Sequence, residues 1–79
     1  MLREKMNDSK KISKLDSVVL LKSIPSHKLR KGDVGCVVEV HKPGLYEIEF
    51  VDGNGKTKAL MTLPESSVMR LNLNIAETT

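Results

Sequence analysis

The sequence predicts an all-β fold: a small five-stranded barrel with a short 3-10 turn before the last strand. Three observations carry that reading. Apolar residues recur at a period of two over short runs, most clearly at Tyr46, Ile48 and Phe50. Turn-forming residues separate the runs at short intervals, at Lys42-Pro43-Gly44 and at Asp52-Gly53-Asn54-Gly55. Finally, 79 residues make one small domain, and a chain of this size buries only about 60% of its unfolded surface. Closing the sheet on itself hides edges that would otherwise invite aggregation.

The elements follow in order. The run Val18-Val19-Leu20-Leu21 within residues 16–23 is β-branched at its start and too short for a helix, so it is the first strand. Residues 24–33 open with Pro25 and close with Gly32, which marks a long loop. The second strand spans residues 34–41, with Val34, Cys36, Val38 and Val40 at a period of two. Gly35 within it signals a bulge or a close backbone approach. After the turn at Pro43-Gly44, residues 45–51 put Tyr46, Ile48 and Phe50 on one face and Glu47 and Glu49 on the other. Residues 56–63 form the returning strand. Pro64-Glu65-Ser66-Ser67 is the 3-10 turn, and a last strand starts at Val68 and ends at Leu71 or Leu73.

The hairpin at Asp52-Gly53-Asn54-Gly55 fixes a parity. A four-residue loop sets Glu49 opposite Lys58 and Ile48 opposite Ala59. A two-residue loop sets Phe50 opposite Ala59 and Ile48 opposite Met61. Either way Tyr46, Ile48 and Phe50 share a face with Ala59 and Met61, and Glu47 and Glu49 share the other with Lys56 and Lys58. A three-residue loop would turn Lys58 into the core at a large desolvation cost, so an even-length connection is expected. A domain of this size with these strands suits an SH3-like barrel better than a sandwich.

Several blocks support that assignment by resemblance. They are Val18 to Leu21, Ile24-Pro25, residues 29–40 with Lys31-Gly32-Asp33-Val34-Gly35 at their centre, Tyr46 to Asp52, and Gly55 to Pro64. In this order and spacing they resemble a small bacterial family of unknown function with an SH3-like barrel. The resemblance covers most of the chain except the tails, and it implies a fold and no activity. It also implies small stand-alone proteins encoded beside other small, sometimes toxin-like genes, hence an antitoxin or immunity role. The Lys31 to Gly35 block is further similar to the glycine-centred loop of ribosomal and transcription-factor SH3-like modules that bind RNA or protein. We read its glycines as turn formers.

Charge is unevenly distributed. The net charge is +3, from 13 basic and 10 acidic residues. Residues 1–14 hold five basic and two acidic residues, so they carry the whole excess, and the remainder balances at eight against eight. We read residues 1–14 as a flexible basic tail, 15–73 as the barrel and 74–79 as a frayed terminus. Met6 offers a second start. No run is long enough to cross a bilayer, no signal peptide is visible, and a lone Cys36 excludes an internal disulfide, which together suggest a cytoplasmic protein. Cys36 is read as a small buried hydrophobe.

A search for chemistry finds no catalytic set. Ser26-His27 lacks a third group to orient the imidazole, and His27 and His41 read as exposed loop and turn residues. Two histidines and one cysteine match no zinc spacing, and no phosphate-cradling glycine motif is present, so no metal or cofactor is expected. Glu47 and Glu49 read as half of a cross-strand charge ladder with Lys56 and Lys58, and Leu60 and Val51 add apolar surface to that face. Lys28, Arg30 and Lys31 form the one basic cluster of the barrel, but both rings, Tyr46 and Phe50, are committed to the core and leave no stacking platform.

The expectation is therefore a non-enzymatic protein-interaction module, antitoxin-like or adaptor-like, whose partner is another protein and not a membrane. Its expected contact residues are Lys28, Arg30, Lys31, Glu47, Glu49, Lys58 and Leu60. One alternative is contact with RNA or the ribosome through the basic loop and tail. A second is an accessory subunit of an enzyme.

Overall fold

The computed structural model describes residues 11–71. Five strands form one antiparallel sheet: β1 (Ser17–Leu20), β2 (Val34–Lys42), β3 (Leu45–Val51), β4 (Thr57–Pro64) and β5 (Val68–Arg70). Their order across the sheet is β4-β3-β2-β1-β5. The expected 3-10 turn precedes β5 at Glu65–Ser67, and a second one, not expected, sits in the long loop at Pro25–His27.

The core is one cluster fed by every strand. Val18 and Leu20 come from β1, Val37 from β2, Tyr46, Ile48 and Phe50 from β3, Leu63 from β4 and Val68 from β5. Leu29 joins from the loop. A single sheet can gather side chains from both of its end strands only by curling around them. β2 supplies the bend. Its register with β3 slips by one residue between Val37 and Glu39 and again between Val40 and Lys42, and such bulges sharpen twist and curvature. The curl stops short of the closed circuit expected from sequence. β5 pairs only with β1, and no ladder joins it to β4 among the described residues. The 3-10 turn between the two strands redirects the chain before they can run side by side.

Two parity expectations need correction. In β2 the inward residues are Gly35 and Val37, whereas Val34 is half exposed. The bulge at Val38 then resets the alternation so that Val40 packs on the core. The reason lies at Gly35, where a Cβ would meet Ile48 Cγ2 at 2.6 Å and the Phe50 ring at 2.9 Å. A glycine here lets the backbone lie directly on two large core residues of β3.

At the β3–β4 hairpin the faces are as expected, with Phe50 opposite Ala59 and Ile48 opposite Met61. The connection, however, is odd. Asp52 and Lys56 close a three-residue loop, with the Asp52 N–H donating to the Lys56 carbonyl at 2.9 Å. One extra residue in β4, Lys58, restores the parity as a bulge between the Val51–Thr57 and Phe50–Ala59 pairs, so Lys58 stays exposed. The Asp52 carboxylate accepts the amides of Asn54 and Lys56, and Gly55 takes φ +82°.

The folded part also begins earlier than residue 15. Ile12 is 8% exposed within the core cluster, and Ser13 donates its N–H to the Asp16 carboxylate to lead into β1. Apolar burial at Ile12 outweighs the surrounding charges that suggested a tail. Residues 1–10 of that tail, and the terminus at 74–79, lie outside the described residues.

Candidate interaction surface

The outer face of the curled sheet carries an apolar row at one end. Val19 of β1 pairs with Met69 of β5 on one side and with Val34 of β2 on the other. Carrying the Gly35–Phe50 pairing one residue further sets Val34 beside Val51 of β3, which in turn pairs with Thr57. Each is an outward neighbour of a core residue: Val18, Val68, Gly35 or Phe50. Met69, Val34 and Val51 are 54%, 50% and 49% exposed. Strands lie about 4.8 Å apart, so the row from Met69 to Val51 runs about 14 Å across four strands.

A second row lies two residues along. The Leu71 N–H donates to the Ser17 carbonyl, Ser17 pairs with Cys36, Cys36 with Glu49 and Glu49 with Leu60. Leu60 is 55% exposed. The two rows together make a largely apolar sheet face, interrupted by the hydroxyls of Ser17 and Thr57 and by one carboxylate, Glu49, which accepts a hydrogen bond from the Thr57 hydroxyl. Cys36 is half-buried here rather than a core residue, because the β2 parity turns it outward.

The far end of the same face is polar. Glu39 and Glu47 stand directly opposite one another, a repulsive arrangement relieved by separate partners. Lys14 lies 3.8 Å from Glu39, and His41 Nε2 lies 3.3 Å from Glu47. The expected ladder of Glu47 and Glu49 with Lys56 and Lys58 does not form. Glu49 takes Thr57, Glu47 takes His41, and Lys58 reaches Asp33 at 3.4 Å. The bulge that lifts Lys58 out of register is what separates it from the glutamates.

The basic loop between β1 and β2 is tied at both ends and in the middle. The Leu20 backbone exchanges hydrogen bonds with Gly32 and Asp33, and Ile24 and Leu29 exchange a pair of their own. Leu29 is buried in the core. Lys28 ends the 3-10 turn in the left-handed region at φ 58°. The Ser23 hydroxyl accepts the Lys31 amide and the Asp33 carboxylate accepts the Arg30 amide. Lys28, Arg30 and Lys31 are thereby held exposed on an ordered loop. The Arg30 amide, and after it the charge of Lys58, hold the Asp33 carboxyl below the usual carboxylate range. Asp33 thus joins the loop to the β3–β4 hairpin, so Lys58 belongs with the basic loop, while Glu49 and Leu60 belong with the apolar rows. Glu47 sits at the polar end. The predicted contact residues accordingly fall into three places.

Ser26 Oγ and His27 Nδ1 are 3.0 Å apart and both residues are exposed, so the pair sits on the surface of the loop and not in a cleft. Among the described residues no group of three or more His, Cys, Asp or Glu is placed to hold a metal ion. None of their helices is long and apolar enough to cross a membrane.

The sequence profile of one family, described as "Domain of unknown function (DUF4926)", matches residues 14–70. The chain belongs to that family. No curated protein and no solved structure matches it. The matched stretch runs from just before β1 to the end of β5, so every strand that builds the apolar rows lies within the family domain. Val19, Val34 and Met69 were not singled out as surface residues from sequence. Their adjacency depends on three separate strand registers, and only Val51 and Leu60 shared a face that one hairpin could reveal.

Proposed function

We propose that the domain is a non-enzymatic protein-interaction module that seats a partner protein on the outer face of β5, β1, β2 and β3. The observation that carries this reading is the row Met69, Val19, Val34 and Val51, in which Val19 is partly exposed and the other three side chains are about half exposed. Single exposed apolar residues are ordinary on a protein surface, but a contiguous set rimmed by polar groups marks contact sites. Leu60 and Glu49 extend the contact. Lys28, Arg30, Lys31 and Lys58 flank it at the loop end, where charges steer encounter more than they add affinity. Strand order, the 3-10 turn before β5 and a core drawn from all five strands favour an SH3-like barrel as the architecture. An antitoxin-like or adaptor role in the cytoplasm of a bacterium is the setting we propose.

A second reading is favoured by the ordered basic loop. Lys28, Arg30 and Lys31 could neutralise phosphates of an RNA, with affinity that falls steeply with salt. Against it, Tyr46 and Phe50 are 4% and 1% exposed, so neither can stack on a base.

Exchange of Val34 and Val51 for lysine separates the two. Affinity purification of the full chain from its host, followed by calorimetry with the recovered protein, is expected to give a stoichiometric partner whose affinity drops at least about tenfold in Val34→Lys/Val51→Lys. Unchanged affinity in that variant overturns the apolar-face reading. Salt-sensitive binding to a generic RNA, lost on neutralising Lys28, Arg30 and Lys31, would put the second reading in its place.

A further inference from the structure

Among the described residues the open sheet leaves two edges. β5 offers three residues, too few to template a strand, but β4 offers eight. Which β4 groups face the free edge follows from the ladder. The Glu65 N–H donates to the Gly44 carbonyl at 2.9 Å. Antiparallel pairs alternate between hydrogen-bonded and non-bonded, so Leu63, Met61 and Ala59 exchange bonds with Tyr46, Ile48 and Phe50. The amides and carbonyls of Leu60 and Thr62 then point away from β3. Pro64 agrees with this assignment, because it occupies an edge-facing position where no N–H is required.

Folded proteins usually blunt such an edge with lysines, prolines or bulges. Here those devices stand only at the ends, as the Lys58 bulge and Pro64. Between them, Ala59-Leu60-Met61-Thr62-Leu63 has no charge, no proline and no register shift. Ala59 and Met61 face the core yet stay only partly buried.

We propose that this edge pairs with the same edge of a second copy, antiparallel about a two-fold axis at Met61. The occupant is argued from self-complementarity. In antiparallel self-pairing, edge-facing residues must oppose edge-facing residues, and an axis at Met61 sets Leu60 against Thr62 of the second copy, twice. Their four amides and four carbonyls find partners together. The same register sets Lys58 against Pro64 of the second copy, and with Lys58 turned back across β3 to Asp33 no two like charges stand opposite one another along the edge. It also covers the partly buried Met61 with its own symmetry mate. The pairing uses backbone groups of the β4 edge, whereas the outer face is read through side chains centred on β5, β1, β2 and β3; Leu60 is the one residue common to both.

Sedimentation of the full chain from about 1 µM to about 1 mM is expected to show a monomer–dimer equilibrium. Amide exchange over the same range carries the signature: Leu60 and Thr62 slow by about tenfold or more on concentration, while Ala59 and Met61 are slow throughout. Thr62→Pro removes one edge donor without touching the β3 ladder and is expected to leave a folded monomer. Should that variant fail to fold, Thr62→Lys places a charge on the edge and serves in its place. A wild-type chain that stays monomeric throughout overturns the proposal, as does a dimer unaffected by the edge variant, or edge amides that slow only when a different protein is added. Val34→Lys/Val51→Lys is expected to dimerise normally, so failure of the partner-face reading and failure of this one are told apart.

Discussion

The two faces of one sheet carry nearly the same residue types under opposite conditions. Inside, Val18, Phe50 and Val68 are 0%, 1% and 4% exposed. Outside, one residue along on the same strands, Val19 is partly exposed and Val51 and Met69 are about half exposed. A half-solvated antiparallel strand ordinarily alternates apolar and polar, and the far end of this sheet obeys that rule with Glu39, Glu47 and Thr62 outward. The end built by β5, β1 and the start of β2 does not. Folding needs one apolar face, so the second apolar set has no part in the core. That difference is why we assign it to a partner.

The largest test of this contrast is Gly35→Ala. The added methyl points inward at Ile48 and Phe50, at distances no real Cβ tolerates, and both neighbours are fully packed. Overpacking of a tight core costs about 1–3 kcal/mol, and this site belongs at the upper end. For a domain of this size a loss of that order lowers Tm by about 10 °C or more in a thermal melt. A melt within a degree or two of wild type would mean that the inner face is loosely packed there and that the contrast between faces is overstated.

Gly35 also explains what the sequence could and could not disclose. The alternation of Tyr46, Ile48 and Phe50 with glutamates was legible because β3 is a central strand with one polar face, and the hairpin parity followed from it. In β2, valines stand at 34, 37, 38 and 40, so no face is marked by polarity. The residue that decides the parity, Gly35, has no side chain to reveal it. The odd hairpin loop was hidden for a related reason. A bulge at Lys58 undoes the parity change, and burial patterns register only the sum of the two. Ile12 was obscured by its charged neighbours. The apolar rows were invisible because their members lie on different strands, and each alone is an ordinary surface residue. Only assembled registers place them together, which is also why the expected contact residues divided among the loop, the face and its polar end.

A smaller effect tests the link between the basic loop and the hairpin. The Asp33 carboxyl is held below its ordinary value of 3.8, chiefly by the Arg30 amide and then by Lys58. A carboxyl whose folded pKa is depressed stabilises the fold above its unfolded pKa, and that contribution fades as pH falls through the folded value. Wild type is therefore expected to melt modestly higher than Asp33→Asn near neutral pH. The gap should close as pH drops below about 3.8 and the carboxylate is protonated in both states. A gap that persists in acid, measured by thermal melts across a pH series, would place the effect of Asp33 in its shape and not in its charge, and would detach the loop from Lys58.

The smallest expected stability effect is the most telling about the surface. Val34→Thr and Val51→Thr keep a β-branched shape on outward positions that are already half in water. Little apolar burial is lost, and substitutions away from packed features usually shift stability within about ±0.5 kcal/mol. Each variant is thus expected to melt within about 2–4 °C of wild type. If instead either one unfolds the domain, the outer row is holding the sheet together and the partner-face reading loses its premise. If both are silent in the isolated domain but weaken partner binding, the same two hydroxyls separate what the outer face does for the fold from what it does for recognition.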